Sequence, residues 1–299
     1  MILFTDTLQF HSDRPTAVAI GKFDGLHRGH ETLLTEILKE KERGLLAAAF
    51  TFHLDQPHEM LSTKEEKEAL FSGIGIDLLI ECPFSDEIRT MRPLPFLQML
   101  KERLHMEAVV AGTDCRFGYR AEGDAAFLTE QAKTLGFRAV IVEKQQHEGR
   151  DISSTWIREE IKNGRIKEAN QLLGYAYFIS GEVAHGHAIG GKRLNTPTLN
   201  LIPEEDKLLP PFGVYVTETE VRGQIYQGIS NLGVKPTIGD REAVTLETHL
   251  FEFAGDLYGE PVTTRFLHFL RPEQRFDSLE TLKGQILSDI QRAQRFFGE

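Results

Sequence analysis

Two histidines three residues apart, His27 and His30, stand in a stretch that also carries Gly21, Gly25 and Gly29. At that spacing two imidazoles can face one spot and offset charge developing on a phosphoryl oxygen. The flanking glycines allow backbone to come close to a ligand. The full stretch, Gly21-Lys22-Phe23-Asp24-Gly25-Leu26-His27-Arg28-Gly29-His30, joins an apolar run, Thr16 to Ile20, to a helical pattern from His30 to Arg43. It therefore reads as a strand-to-helix turn, where free backbone N–H groups and the positive end of a helix dipole meet a phosphate. Taken alone, His-x-Gly-His is short, and surface histidines on a turn also produce it.

Three further places carry candidate chemistry. Ile152-Ser153-Ser154-Thr155-Trp156-Ile157-Arg158 opens a helix; Ser153, Ser154 or Thr155 can cap it, and the same N-terminus can cradle phosphate with Arg158 reaching in. An ordinary N-cap explains those residues equally well. Gly186 and Gly191 lead into Pro197-Thr198-Leu199-Asn200, where a hydroxyl and a carboxamide oxygen are hard ligands suited to Mg2+ held by ATP phosphates. A plain turn with local side-chain bonding has the same composition. Within Val244–Phe251, alternation puts Val244, Leu246 and Leu250 on one face and Glu247 on the other, as for any solvated strand glutamate.

These residues need about two ordinary domains to position them, and 299 residues with 40% apolar composition supply the cores. From Thr16 to Glu143, short apolar runs (16–20, 45–52, 77–82, 108–111, 139–142) alternate with helical patterns (30–43, 64–73, 94–105, 124–135). That alternation predicts a Rossmann-like parallel sheet with helices on both faces, its ligands at the carboxyl ends of the strands. Past Gly174 the pattern changes to short strands with Gly and Pro turns (178–183, 213–221, 224–231, 244–253, 262–270) and a closing helix, 278–297. This predicts a small antiparallel β-barrel, with a boundary near Tyr175 and domains 1–174 and 175–299.

A net charge of −11 argues against a broad nucleic-acid surface, which needs clustered Lys and Arg. No run approaches the roughly 18 apolar residues of a membrane span. Cys82 and Cys115 have neither metal spacing nor a disulfide framework, which fits a reducing cytoplasm.

The Gly21–His30 stretch resembles the nucleotidyltransferase motif of bacterial bifunctional riboflavin kinase/FAD synthetases, and Ile152–Arg158 resembles the second nucleotide-binding motif of the same enzymes. The Gly-rich loop with Pro197-Thr198-Leu199-Asn200 resembles the Pro-Thr-Ala-Asn motif of riboflavin kinases, with further similarity at Gly213-Val214-Tyr215, Asn231-Leu232-Gly233, Asp256–Gly259 and Leu270-Arg271-Pro272-Glu273. The resemblance implies two activities: phosphorylation of riboflavin by ATP to FMN, then adenylylation of FMN by ATP to FAD with release of pyrophosphate. It also implies that Glu247 is the catalytic base of the kinase, with Gly186, Gly191, Pro197, Thr198, Asn200, Asn231 and Arg271 around ATP and flavin and Thr198 and Asn200 on Mg2+. Gly21, Phe23, Asp24, Gly25, His27, Gly29, His30, Ser153, Ser154, Thr155 and Arg158 would bind ATP in the adenylyltransferase.

The chain departs from the family pattern at Thr51–Pro57, where Thr-Phe-x-Pro-His-Pro is usual, at Cys115 in place of phenylalanine, and at Asn195-Thr196, where Gly-Phe or Gly-Met precedes Pro-Thr. That last departure sustains the alternative of a monofunctional FMN adenylyltransferase with a degenerate flavin-binding kinase domain. A nucleic-acid-binding reading, from the His-x-Gly-His turns of class I aminoacyl-tRNA synthetases, is disfavoured by the acidic balance.

Overall fold

The computed structural model describes residues 1–53, 59–184, 198–236 and 242–298, and the chain divides into two compact units, Met1–Ser154 and Thr155–Glu299. In the first unit six strands, β1 (Ile2–Thr5), β2 (Thr16–Ile20), β3 (Leu46–His53), β4 (Leu78–Pro83), β5 (Met106–Gly112) and β6 (Arg138–Val142), form one parallel sheet. Their order is β1-β4-β3-β2-β5-β6. The direction of winding reverses at β2, whose neighbours are β3 on one side and β5 on the other. In an open sheet the crevice beyond the carboxyl ends at such a reversal is where ligands collect.

Helices α1 (Arg28–Lys41), α2 (Lys64–Ile74), α3 (Asp86–Thr90), α4 (Pro93–Leu104) and α5 (Ala125–Leu135) accompany this sheet. Alternate residues of β2 enter two different cores, as the period of two along a strand requires. Val18 and Ile20 join Phe50, Phe96 and Leu100, whereas Ala17 and Ala19 join Ala47, Ala49 and the α1 residues Leu33, Leu34 and Ile37. Four alanines on that face let α1 lie close to the sheet, and full burial of Ile37 stabilises the unit by about 1.5–3 kcal/mol.

Most elements of this unit match the expectations from the pattern to within a few residues; β1, α3 and a short hairpin do not. β1 was not expected, because a four-residue edge strand with exposed Ile2 and Leu3 shows no two-sided apolar run. α3 is five residues held by its Ser85 cap, and the hairpin β7 (Gln146–His147) to β8 (Arg150–Asp151) turns on Glu148 and Gly149, both at positive φ.

In the second unit α6 (Ser154–Lys162, most of it in this unit) and α7 (Ile166–Leu173) precede a six-stranded antiparallel sheet. Its strands are β9 (Phe178–Glu182), β10 (Thr198–Leu201), β11 (Gly213–Val221), β12 (Gln224–Pro236), β13 (Glu242–Leu250) and β14 (Pro261–Pro272), in the order β10-β13-β12-β11-β14-β9. Register shifts between β11 and β14 sharpen the curl, and the Ala184 N–H donates to the Asn200 carbonyl at 2.8 Å, bridging the two outermost strands into a small barrel. β10 is a strand where the sequence suggested a turn, because Leu199 and Leu201 alternate inward while Thr198 and Asn200 stay outside.

The barrel interior carries hydroxyls as well as apolar groups, and these satisfy one another: Thr217 with Ser230 at 2.7 Å, Ser230 with Thr248 at 2.7 Å, Thr219 with Thr264 at 3.1 Å. On the outer face Val214, Val216 and Ile229 pack under Ala293 of the C-terminal helix Leu279–Gly298.

Candidate functional site

The turn after β2 carries the first group of candidate residues. α1 begins at His27 without a side-chain cap, whereas Thr63, Ser85 and Asp124 cap α2, α3 and α5. The His27 carbonyl takes the His30 and Glu31 N–H groups at 2.7 and 3.0 Å, so only the N–H groups ahead of His30 could serve a ligand at this helix start. The turn itself is fixed by Asp24, whose carboxylate accepts from the Leu61 N–H at 3.0 Å, and by Thr51, whose hydroxyl donates to the Lys22 carbonyl at 3.0 Å. Gly25 sits at φ +78° with its α-carbon against Leu61, where a Cβ would stand 2.7 Å from a methyl group. No other residue type meets both conditions.

Ile152 and Ser154, at the start of the second motif, meet the first. The Ser154 hydroxyl donates to the Asp24 carbonyl at 3.0 Å, and the Ile152 carbonyl lies beside Gly29. Ser153 precedes Ser154 at the start of α6, Thr155 is exposed, and Arg158 is half-buried one turn further along that helix. Gly21 lies under the Phe23 ring, and Phe23 in turn packs edgewise on Phe71.

His27 and His30 stack with ring centroids 3.7 Å apart and 17° between planes, and Phe23 closes on His30 at 5.3 Å. Burial, and then the charge of His27, hold the His30 imidazole well below the usual histidine range. As pH falls the unfolded chain therefore protonates at this position first. Stability that is present above the unfolded value of about 6.5 is lost as pH drops toward the lower folded value. Replacing His30 with glutamine should accordingly flatten the fall in melting temperature between about pH 6.5 and 5. Parallel melting curves for wild type and variant across that range would contradict this.

In the barrel, Asn200 on β10 pairs in register with Glu247 on β13, and Glu247 with Asn231 on β12. Directly opposed residues share a face, so the three side chains form one row on the outside of the barrel. Thr198, two residues before Asn200, joins them on that face. Val214 and then Arg271 continue the row on β11 and β14. The guanidinium of Arg271 grips the Asp289 carboxylate of the C-terminal helix, at 2.9 Å and 2.8 Å to Oδ2, and Gln285 donates to the same carboxylate at 2.9 Å. Gly186, Gly191 and Pro197, with Asn195 and Thr196, lie outside the described residues, as does the 54–57 part of the atypical loop after β3. Two contributors had no local signal, the Leu61 N–H that anchors Asp24 and the Asp289 that engages Arg271, while Glu273, which accepts from Asn231, stands in the Leu270–Glu273 stretch noted above but was given no role there.

Comparison with known proteins agrees with this two-part layout. A family model described as FAD synthetase matches residues 9–156, and one described as riboflavin kinase matches residues 173–297. The chain is 33% identical to the bifunctional riboflavin kinase/FMN adenylyltransferase of Listeria monocytogenes, over 96% of its own length and 94% of the relative's. This chain belongs to that family. The bifunctional enzymes of Bacillus subtilis and Escherichia coli are 31% and 32% identical, each match covering 94% of this chain and 92% of the relative. Both domains of the bifunctional family are thus present, which favours two activities over a lone adenylyltransferase. The crystal structure of a macrolide-efflux protein from Streptococcus pneumoniae superposes with a TM-score of 0.84 at 29% identity, covering 96% of each chain. Among the described residues of this chain no helix is long and apolar enough to cross a membrane.

Proposed function

We propose that this member of the riboflavin kinase/FMN adenylyltransferase family makes FAD from riboflavin in two steps, one in each half, with the adenylyltransferase in residues 1–174 and the kinase in 175–299. The observation that carries the kinase half is the in-register row Asn200–Glu247–Asn231. Glu247 takes the proton from the ribityl 5′-hydroxyl as that oxygen attacks the γ-phosphate of ATP, and the γ-phosphoryl group passes to it, leaving ADP. Thr198 and Asn200 present two hard oxygens on one face, a donor set that fits Mg2+ carried in on ATP phosphates. Among the described residues no cluster of three His, Cys, Asp or Glu offers a dedicated metal cage. When bound, the ion offsets phosphate charge. Asn231 and Arg271 line the flavin end, with Gly186, Gly191 and Pro197 in the segment before β10.

In the first half, the FMN phosphate attacks the α-phosphate of ATP and pyrophosphate leaves. The uncapped start of α1 receives phosphate with Gly21, Phe23, Asp24, Gly25 and Gly29 shaping the turn, and His27, His30, Ser153, Ser154, Thr155 and Arg158 stabilise the charge. The buried Nδ1 of His30, which has no hydrogen-bond partner among the described residues, supports a polar ligand there. The substrates are small molecules, with neither nucleic acid nor membrane as partner, and the free cysteines Cys82 and Cys115 suit a cytoplasmic setting.

Purified protein given riboflavin, ATP and Mg2+ should yield FMN and then FAD on chromatographic separation of the flavins. Excess EDTA should stop both steps. FAD formed from supplied FMN but never from riboflavin would point to a silent barrel, and FAD formed at full rate with the metal chelated would contradict the charge-offset scheme.

A further inference from the structure

We infer that Glu273 is a positioning residue for the phosphorylation step, fixing the orientation of the Asn231 amide beside Glu247; this rests on the assignment of that row as the kinase site. The Asn231 Nδ2 donates to the Glu273 carboxylate at 3.2 Å. The next residue on the same face of β12 is Gly233, and a Cβ there would stand 2.0 Å from the Glu273 Oε1 and 2.6 Å from its carboxyl carbon. Both separations are far inside van der Waals contact, so the missing side chain at 233 is the slot that receives Glu273. The backbone of Glu273 is tied as well, its N–H reaching the Phe212 carbonyl at 3.4 Å.

The chemistry follows from the partner's type. An amide offers two donors at one end and an acceptor at the other, while an ionised carboxylate only accepts. Glu273 therefore selects the nitrogen end of Asn231 and leaves the carbonyl oxygen turned away from itself. Since Asn231 stands opposite Glu247 in the ladder, that oxygen is available to accept from a neighbouring ribityl hydroxyl, which holds the 5′-hydroxyl in place for Glu247 to take its proton. Without Glu273 both amide orientations are open, and one of them removes the acceptor that holds the neighbouring ribityl hydroxyl. Glu273 itself touches neither substrate nor reacting atoms in this scheme.

The test uses the full-length protein and measures kcat and KM for riboflavin phosphorylation, together with the rate of FAD formation from supplied FMN. Glu273→Ala should lower the phosphorylation kcat about tenfold, in line with loss of one hydrogen bond to a charged group. KM for ATP and the adenylylation rate should stay unchanged. Glu273→Gln, whose amide oxygen accepts the same bond, should recover most of the rate. Gly233→Ala should match Glu273→Ala and add nothing in a Glu273→Ala background, because the two residues act as one unit. Glu247→Gln serves as the reference. If it abolishes phosphorylation while Glu273→Ala or Gly233→Ala runs at the wild-type kcat, the positioning role is overturned and the site assignment stands. If Glu247→Gln itself keeps full rate, the assignment fails first. Equal losses in Glu273→Ala and Glu273→Gln also overturn the role, since the hydrogen bond would not be what matters. Should Glu273→Ala not fold, Gly233→Ala and Glu273→Gln decide by the same criteria.

Discussion

His30→Ala is expected to convert this enzyme into one that accumulates FMN. The imidazole stands at the uncapped start of α1, stacked on His27, where the proposed scheme has phosphate charge develop as FMN attacks ATP. Loss of a preorganised group of this type costs about 10²–10³ in turnover. The phosphorylation rate should not change, because the barrel has its own core and its own hydroxyl-bonded interior. Following riboflavin, FMN and FAD over time by chromatography gives both rates from one experiment. Loss of both steps in a protein that still melts cooperatively would break the assignment of one chemistry to each half.

The complementary variant is Glu247→Gln. It keeps volume and hydrogen-bonding length on an outer barrel face while removing the proposed proton acceptor, so the strand ladder with Asn200 and Asn231 should persist. Removing a general base lowers a rate by about 10²–10⁴. FMN should no longer form from riboflavin, yet supplied FMN should still become FAD at the wild-type rate. Phosphorylation at full speed in this variant would mean that the hydroxyl proton leaves by another route.

What the sequence discloses depends on how local the determinant is. The parallel sheet was legible because β2, β3, β4 and β5 are apolar on both faces, a signal written within each strand. The strand-to-helix turn before α1 was legible for the same reason, its glycines and histidines lying within ten residues. β1 was hidden, since an edge strand needs only one neighbour and little burial. β10 was hidden by its own chemistry, Thr198 and Asn200 reading as turn residues until Leu199 and Leu201 are seen pointing inward. The link between Asn231 and Glu273 crosses from β12 to the end of β14, and only a glycine at 233 hints that something must fill the space above it. Local patterns cannot report a partner 42 residues away.

The reversal of strand order at β2 also sets a timetable for the nascent chain. β2 pairs with β3 about one helix later, Thr16 opposite Leu46, but its other edge waits for β5, Thr16 opposite Met106. β1 waits in the same way for β4, with Ile2 opposite Leu78. Closing such long loops before any contact repays the entropy is slow, whereas β11 pairs with β12 and β12 with β13, each with its immediate successor. Until about a hundred residues have emerged, the most apolar strand of the molecule has one edge without its native neighbour, which makes the early chain a natural client for chaperones.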